Sequence, residues 1–109
     1  MPDATVERRS APRYPMVLSA DVVELPRGAR LSARTSDISL TGCYIDTLNP
    51  IPKGSEVRVR FHHNDEIFEA LGRVVYVSCA LGMGVTFTKV AEEEKARLEQ
   101  WLANRDQEF

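Results

Sequence analysis

Alternating apolar and polar residues recur along this chain, and they predict β-strands. Within residues 56–62, Val57, Val59 and Phe61 alternate with charged side chains. Because successive side chains of a strand point to opposite faces, this segment predicts a strand with one face in a core. The segments 16–25, 29–37, 43–47, 66–78 and 83–87 predict five further strands.

Turn-forming residues separate these strands, among them Pro26-Arg27-Gly28 and Asn64-Asp65. Six short strands at hairpin spacing predict an all-β fold, a closed six-stranded antiparallel barrel, since closure removes the unpaired edges. Gly72 lies inside the long predicted strand and indicates a bulge or bend there.

The last segment, residues 91–104, has the pattern of a C-terminal α-helix. Acidic residues 92–94 suit the positive end of a helix dipole. Leu98, Trp101 and Leu102 follow the i, i+3, i+4 spacing of one apolar stripe. We expect this helix to cap or flank the barrel, or else to form a dimer contact, so the chain is expected to be a monomer or a weak homodimer.

Residues 1–15 show no apolar periodicity and contain Pro2, Pro12 and Pro15. They predict a flexible N-terminal arm, and residues 16–109 then form a single domain of barrel and helix. The N-terminus lacks the apolar core of a signal peptide, and no apolar stretch is long enough to span a bilayer. The expected location is therefore the cytoplasm.

Composition and charge exclude several function classes. The 109 residues are 43% hydrophobic and 28% charged, which is ordinary for a globular protein, and the net charge of −2 argues against binding a nucleic acid polymer. His62 and His63 are adjacent and would face opposite ways on a strand, so they do not predict a metal site. No nucleophile–histidine–acid arrangement or pair of catalytic acids is evident. We therefore expect no enzyme activity, metal or cofactor.

The segment Asp37-Ile38-Ser39-Leu40-Thr41-Gly42 is the strongest candidate for a binding site. In an extended strand Asp37 and Ser39 project together, while Ile38 and Leu40 point the other way into a core. Gly42 permits a positive φ or lets something approach the backbone closely. The pattern is suited to holding a polar ligand against a sheet.

Two RxxxR patterns precede this segment. Arg9 and Arg13 lie in the proline-containing arm, where a guanidinium can reach a ligand, whereas Arg30 and Arg34 lie within a predicted strand and are expected to be solvated surface residues. Arg is suited to bidentate recognition of phosphates and of guanine edges, and it also stacks on purine faces.

Three patterns together resemble the PilZ domain family. They are RxxxR before the first strand, DxSxxG at the end of the second strand, and the later glycine-rich strand Gly82-Met83-Gly84-Val85-Thr86-Phe87. The resemblance spans residues 8–101 with no departure at the five signature positions. It implies a six-stranded barrel that binds the bacterial second messenger cyclic di-GMP (c-di-GMP). The implied ligand-binding residues are Arg8, Arg9, Arg13, Asp37, Ser39 and Gly42.

Individual roles remain open at the level of sequence. Either Arg9 or Arg13 can take a guanine base and the other a phosphate; Asp37 can accept from guanine N–H groups or orient an arginine. An Arg at position 8 implies, by the resemblance, a stacked ligand dimer, with an ordinary exposed arginine as the alternative.

The implied mechanism is ordering of the arm on ligand binding, which presents a surface to a downstream protein. A protein-interaction adaptor of the same fold without nucleotide binding is the alternative. A barrel for single-stranded nucleic acid would require basic grooves with stacking aromatics, which the sequence does not indicate.

Overall fold

The computed structural model describes residues 11–105 of the chain, and these form seven strands and a helix. The strands are β1 (Tyr14–Pro15), β2 (Ser19–Leu25), β3 (Arg30–Ile38), β4 (Gly42–Asp46), β5 (Glu56–His63), β6 (Glu66–Ser78) and β7 (Gly82–Lys89), and the helix is α1 (Glu92–Asn104). The last six strands and the helix agree with the predicted elements to within a few residues.

The six longer strands close into the predicted antiparallel barrel. They are hydrogen-bonded in the order β3-β2-β5-β6-β7-β4, and β4 pairs back onto β3 to complete the ring. In this order β7 and β4 lie across the barrel from β2 and β5. The wall formed by β4 and β7 and the wall formed by β2 and β5 therefore face opposite sides of the barrel.

Inward-facing side chains fill the barrel as the alternation predicted. Val57, Val59 and Phe61 are fully buried, and the Phe61 and Phe68 rings stack with centroids 5.6 Å apart. Cys43 is also in the core, where burial raises the pKa of its thiol far above its ordinary value. This cysteine is consequently an inert core residue.

The bend predicted in the long strand is present at Gly72. The pairing of β6 with β7 shifts between Leu71 and Gly72, and it shifts a second time between Val74 and Tyr76. The second irregularity breaks the alternation, so three consecutive side chains at 75–77 are exposed. This places Tyr76 on the outer wall beside β7.

The first predicted strand, residues 16–25, begins three residues later in the structure because of Thr35, a fully buried polar residue of β3. Its hydroxyl accepts from the Leu18 backbone N–H at 2.9 Å and donates to the Met16 carbonyl at 2.8 Å. These bonds satisfy backbone groups between β1 and β2, so β2 begins at Ser19 rather than at residue 16. Alternation alone gave no sign of this break.

The short β1 lies within the segment predicted as a flexible arm. Tyr14 pairs with Ile38 and Pro15 with Asp37, so the last part of residues 1–15 joins the sheet. By itself, a cluster of like-charged arginines has little reason to pack on the barrel. Asp37 supplies the opposite charge that favours the observed contact.

Helix α1 flanks the barrel, the first of the two placements expected for it. Leu98, Trp101 and Leu102 are buried, and the Trp101 indole N–H donates to Glu66 at 2.7 Å. The Glu94 carboxylate accepts from the Glu69 backbone N–H at 2.9 Å. Within residues 11–105, no helix is long and apolar enough to cross a membrane.

Candidate functional site

Arg13 and Asp37 form a two-point ion pair where the arm meets the barrel. Arg13 Nε and Nη2 lie 3.2 and 2.9 Å from the two carboxylate oxygens of Asp37. The pairing of β1 with β3 brings these residues together, because Asp37 is the partner of Pro15. The hydrogen bond to Asp37 raises the pKa of Arg13, with the Tyr76 hydroxyl acting in the same direction. The carboxylate of Asp37 thus holds the Arg13 guanidinium at two points.

Ser39 lies in a tight turn rather than in the strand. Because β3 ends at Ile38, the predicted alternation stops there, and Ser39 is buried instead of projecting beside Asp37. Its hydroxyl accepts from the backbone N–H groups of Thr41 and Gly42, each at 3.1 Å. Ser39 therefore fixes the shape of the turn that leads into β4.

Gly42 is required for close approach of two strands, and its φ is not in the left-handed region. A Cβ at this position would lie 2.3 Å from the Val85 carbonyl oxygen and 3.2 Å from the Thr86 Cα. Both atoms belong to the backbone of β7, which cannot swing aside as a side chain can. The absence of a side chain therefore keeps β4 against β7.

Two tyrosines cover glycines of β7 next to this turn. A Cβ at Gly84 would lie 2.3 Å from the Tyr76 ring, and one at Gly82 would lie 2.6 Å from the Tyr44 ring. The two ring centroids are 6.0 Å apart. Glycine at these positions lets both rings lie close against the strand.

These groups surround a shallow depression of about 150 Å³. Arg13, Ser39, Gly42 and Tyr76 line it, and Val85 and Thr86 of β7 also contribute. The guanidinium of Arg13, the ring of Tyr76 and the backbone of two glycines, Gly42 and Gly84, thus lie at one surface. Such a surface suits a planar, anionic ligand.

The structure brings together four of the six residues predicted to bind a ligand: Arg13, Asp37, Ser39 and Gly42. Arg8 and Arg9 lie outside the described residues. The sequence motifs do not include Tyr76, which also lines this depression. The only sign of it in the sequence is the glycine at position 84 of β7, which leaves room for a ring from the neighbouring strand. The second RxxxR pair, Arg30 and Arg34, lies exposed on β3, outside this depression.

The family model for the PilZ domain matches residues 7–104. The chain belongs to the PilZ domain family. PilZ domains are non-catalytic c-di-GMP receptors. No curated protein matches the sequence significantly.

Solved structures share this PilZ fold at low sequence identity. The PilZ domain of YcgR from Escherichia coli with c-di-GMP superposes with a TM-score of 0.76 at 15% identity, covering 93% of each chain. The Bacillus subtilis inhibitor of motility MotI/DgrA gives 0.76 at 17% identity, over 92% of this chain and 52% of that one. Borreliella burgdorferi PlzA in complex with c-di-GMP gives 0.64 at 15% identity, over 91% and 43%. The chain thus spans about half of the Bacillus protein.

Replacing Ser39 by alanine is expected to destabilise this PilZ domain by about 1–3 kcal/mol, because the Thr41 and Gly42 N–H groups lose their acceptor in a partly buried turn. Urea unfolding followed by circular dichroism measures the change. Ser32→Ala is the control, since Ser32 is exposed and its hydroxyl lies 3.3 Å from Asp21. Equal unfolding midpoints for the two variants would contradict the role assigned to Ser39.

Proposed function

We propose that this chain binds c-di-GMP where the arm meets the barrel and passes ligand occupancy to a partner protein in the cytoplasm. The observation that carries the proposal is the two-point pairing of Arg13 with Asp37 beside the glycine-lined depression. The residues proposed to bind the ligand are Arg8, Arg9, Arg13, Asp37, Ser39 and Gly42.

Arg13 is the residue for which the contacts give the most detailed role. Asp37 engages Nε and Nη2, which leaves further N–H groups of the guanidinium for an acceptor on the ligand. A cyclic guanine dinucleotide offers phosphate oxygens and the O6 and N7 atoms of guanine, and both kinds of acceptor suit an arginine. Asp37 then serves to hold Arg13 in place.

Tyr76 extends the proposed site beyond the sequence motifs. Tyr76 is 43% exposed, its ring lies against Gly84, and the residue lines the same depression as Arg13. Stacking of a base on an exposed aromatic ring is favourable for any purine. We assign Tyr76 the role of a stacking surface for one guanine.

A path from the ligand to a partner follows the arm to helix α1. Tyr14, next to Arg13, lies under the guanidinium of Arg105 with 3.5 Å between its ring centroid and Cζ. Tyr14 also borders a depression of about 210 Å³ with Leu40 and Leu102. Movement of the arm on ligand binding therefore alters the surface at the end of the helix.

A protein-interaction adaptor that does not bind nucleotide is the second candidate function. One observation favours it: the charge of Arg13 is already balanced by Asp37 without any ligand. In that case the ion pair would serve only to attach the arm to the barrel.

Calorimetric titration of the full chain with c-di-GMP separates the two candidates, with GTP as the control ligand. We expect saturable binding of c-di-GMP and not of GTP. A stoichiometry of two ligands per chain would agree with the stacked dimer implied by Arg8, and a stoichiometry of one with a single ligand. If calorimetry shows no binding heat and a fluorescent c-di-GMP analogue does not bind either, the receptor proposal is overturned in favour of the adaptor.

A further inference from the structure

The wall opposite the proposed nucleotide site carries a separate group of arginines. Arg30 on β3 and Arg58 on β5 both pair in register with Val23 of β2, one from each side. Arg60 follows Arg58 on the same face of β5, beside Asp21. Three guanidinium groups from two strands thus surround one valine.

This group of three arginines has two acidic neighbours, Asp21 and Glu69. Asp21 bonds to His62 Nε2 at 3.0 Å, which lowers the pKa of Asp21, and the charge of Arg60 acts in the same direction. Glu69 is shared between two arginines, with its carboxylate oxygens 3.4 Å from Arg58 Nε and 3.6 Å from Arg60 Nε.

One carboxylate shared between Arg58 and Arg60 balances only one of their two positive charges. Arg30 forms no ion pair with any residue in the range 11–105. Arginine is weakly hydrated and presents a fixed fork of donors, so such a group is well suited to an oxyanion.

A recess of about 130 Å³ lies between these side chains, lined by Asp21, Val23, Arg30, Arg58 and Arg60. A recess of this size has room for several water molecules or for one tetrahedral oxyanion. We propose that Arg30, Arg58 and Arg60 form a second anion-binding site, which takes a single phosphate group of a small molecule.

The surroundings favour one phosphate group over an extended polyanion. Acidic residues Asp21, Glu56 and Glu69 alternate with the arginines across this wall, and the whole chain has a net charge of −2. A nucleic acid backbone laid across the strands would meet these carboxylates. A compact anion seated over Val23 meets the three arginines, and Asp21 is the one acidic residue in the lining of the recess.

The test is a titration of the ¹⁵N-labelled full chain with inorganic phosphate and with glycerol 3-phosphate, followed by the Arg Nε–Hε and backbone amide signals. We expect saturable shifts at Val23, Arg30 and Arg58 for at least one of these probes. Tighter binding of glycerol 3-phosphate identifies an esterified phosphate as the ligand, and tighter binding of inorganic phosphate identifies the free ion.

Arg30→Gln and Arg34→Gln are a matched pair, because both residues are exposed on β3 and lack an ion pair among the described residues. Loss of one charge-assisted hydrogen bond predicts about tenfold weaker phosphate binding for Arg30→Gln. Arg34→Gln removes the same charge outside the recess and is expected to bind like wild type. Equal losses in both variants, or no saturable shifts around Val23, would overturn the proposal.

This second site does not depend on the c-di-GMP proposal, and Arg13→Ala tells the two apart. In that variant the phosphate-induced shifts at Val23 and Arg30 are expected to persist. Their disappearance would place the phosphate at the arm instead and would also overturn the second site.

Discussion

Arg13→Ala is expected to weaken c-di-GMP binding by about 10- to 100-fold, the effect of losing a charge-assisted hydrogen bond worth roughly 1.5–3 kcal/mol. The substitution removes the guanidinium at the depression. It also leaves the Asp37 carboxylate unpaired next to a ligand with two phosphate charges, and this repulsion adds to the loss. Calorimetry on the purified variant measures the change.

Stability and binding can be separated in this experiment. The Arg13 side chain is 56% exposed, and exposed ion pairs contribute little to folding, so the unfolding midpoint of Arg13→Ala should stay close to that of wild type. Arg34→Ala is the control, because Arg34 belongs to the RxxxR pattern on β3, outside the depression. Near-wild-type affinity of Arg13→Ala would contradict the proposed site.

The partner residue gives a further check on this prediction. If Asp37 acts by orienting Arg13, Asp37→Asn should weaken binding less than Arg13→Ala does. In the double variant, the effect of Asp37→Asn should nearly vanish, because there is no arginine left to orient. Fully additive effects would indicate instead that Asp37 contacts the ligand by itself.

Gly42→Ala is expected to destabilise the barrel by about 1–3 kcal/mol, the usual cost of inserting a methyl group into packed structure. The new Cβ would lie 2.3 Å from the Val85 carbonyl oxygen, so β4 and β7 must separate. The same shift distorts the depression, and ligand binding should weaken as well. Urea unfolding gives the stability, and a change in midpoint at constant slope identifies a loss of folding free energy.

Gly84→Ala is the matched comparison for Gly42→Ala. Its Cβ would meet the ring of Tyr76 rather than backbone, and a half-exposed side chain can rotate away. We expect a smaller loss of stability but weaker c-di-GMP binding, since the proposed stacking surface is displaced. We expect Gly42→Ala to unfold at a lower urea concentration than Gly84→Ala. The reverse order would contradict the inference that a Cβ at position 42 collides with the backbone of β7.

The sequence by itself determined the barrel and its helix. Strict alternation at Val57, Val59 and Phe61 defines an inward face, because the two faces of a strand repeat every two residues. The apolar stripe of Leu98 and Trp101 likewise defines the buried side of the helix. These patterns are local, so they can be recognised in the sequence without knowing which strands pair.

The sequence also identified the motif residues but not how they contact one another. Only the pairing of β1 with β3 brings Asp37 beside Arg13, 24 positions away along the chain, and only the pairing of β4 with β7 shows that Gly42 faces backbone. Ser39 was expected on a strand, yet its hydroxyl stabilises a turn, because short side chains readily bond to nearby backbone N–H groups.

Contacts between distant strands were decided by the tertiary structure alone. Tyr76 joins the site because a register shift in β6 turns it outward over Gly84, and alternation cannot predict such a shift. The recess at Val23 arises because β2 lies between β3 and β5, which brings Arg30 and Arg58 to either side of one residue. Strand order is a property of the whole fold, and no local pattern encodes it.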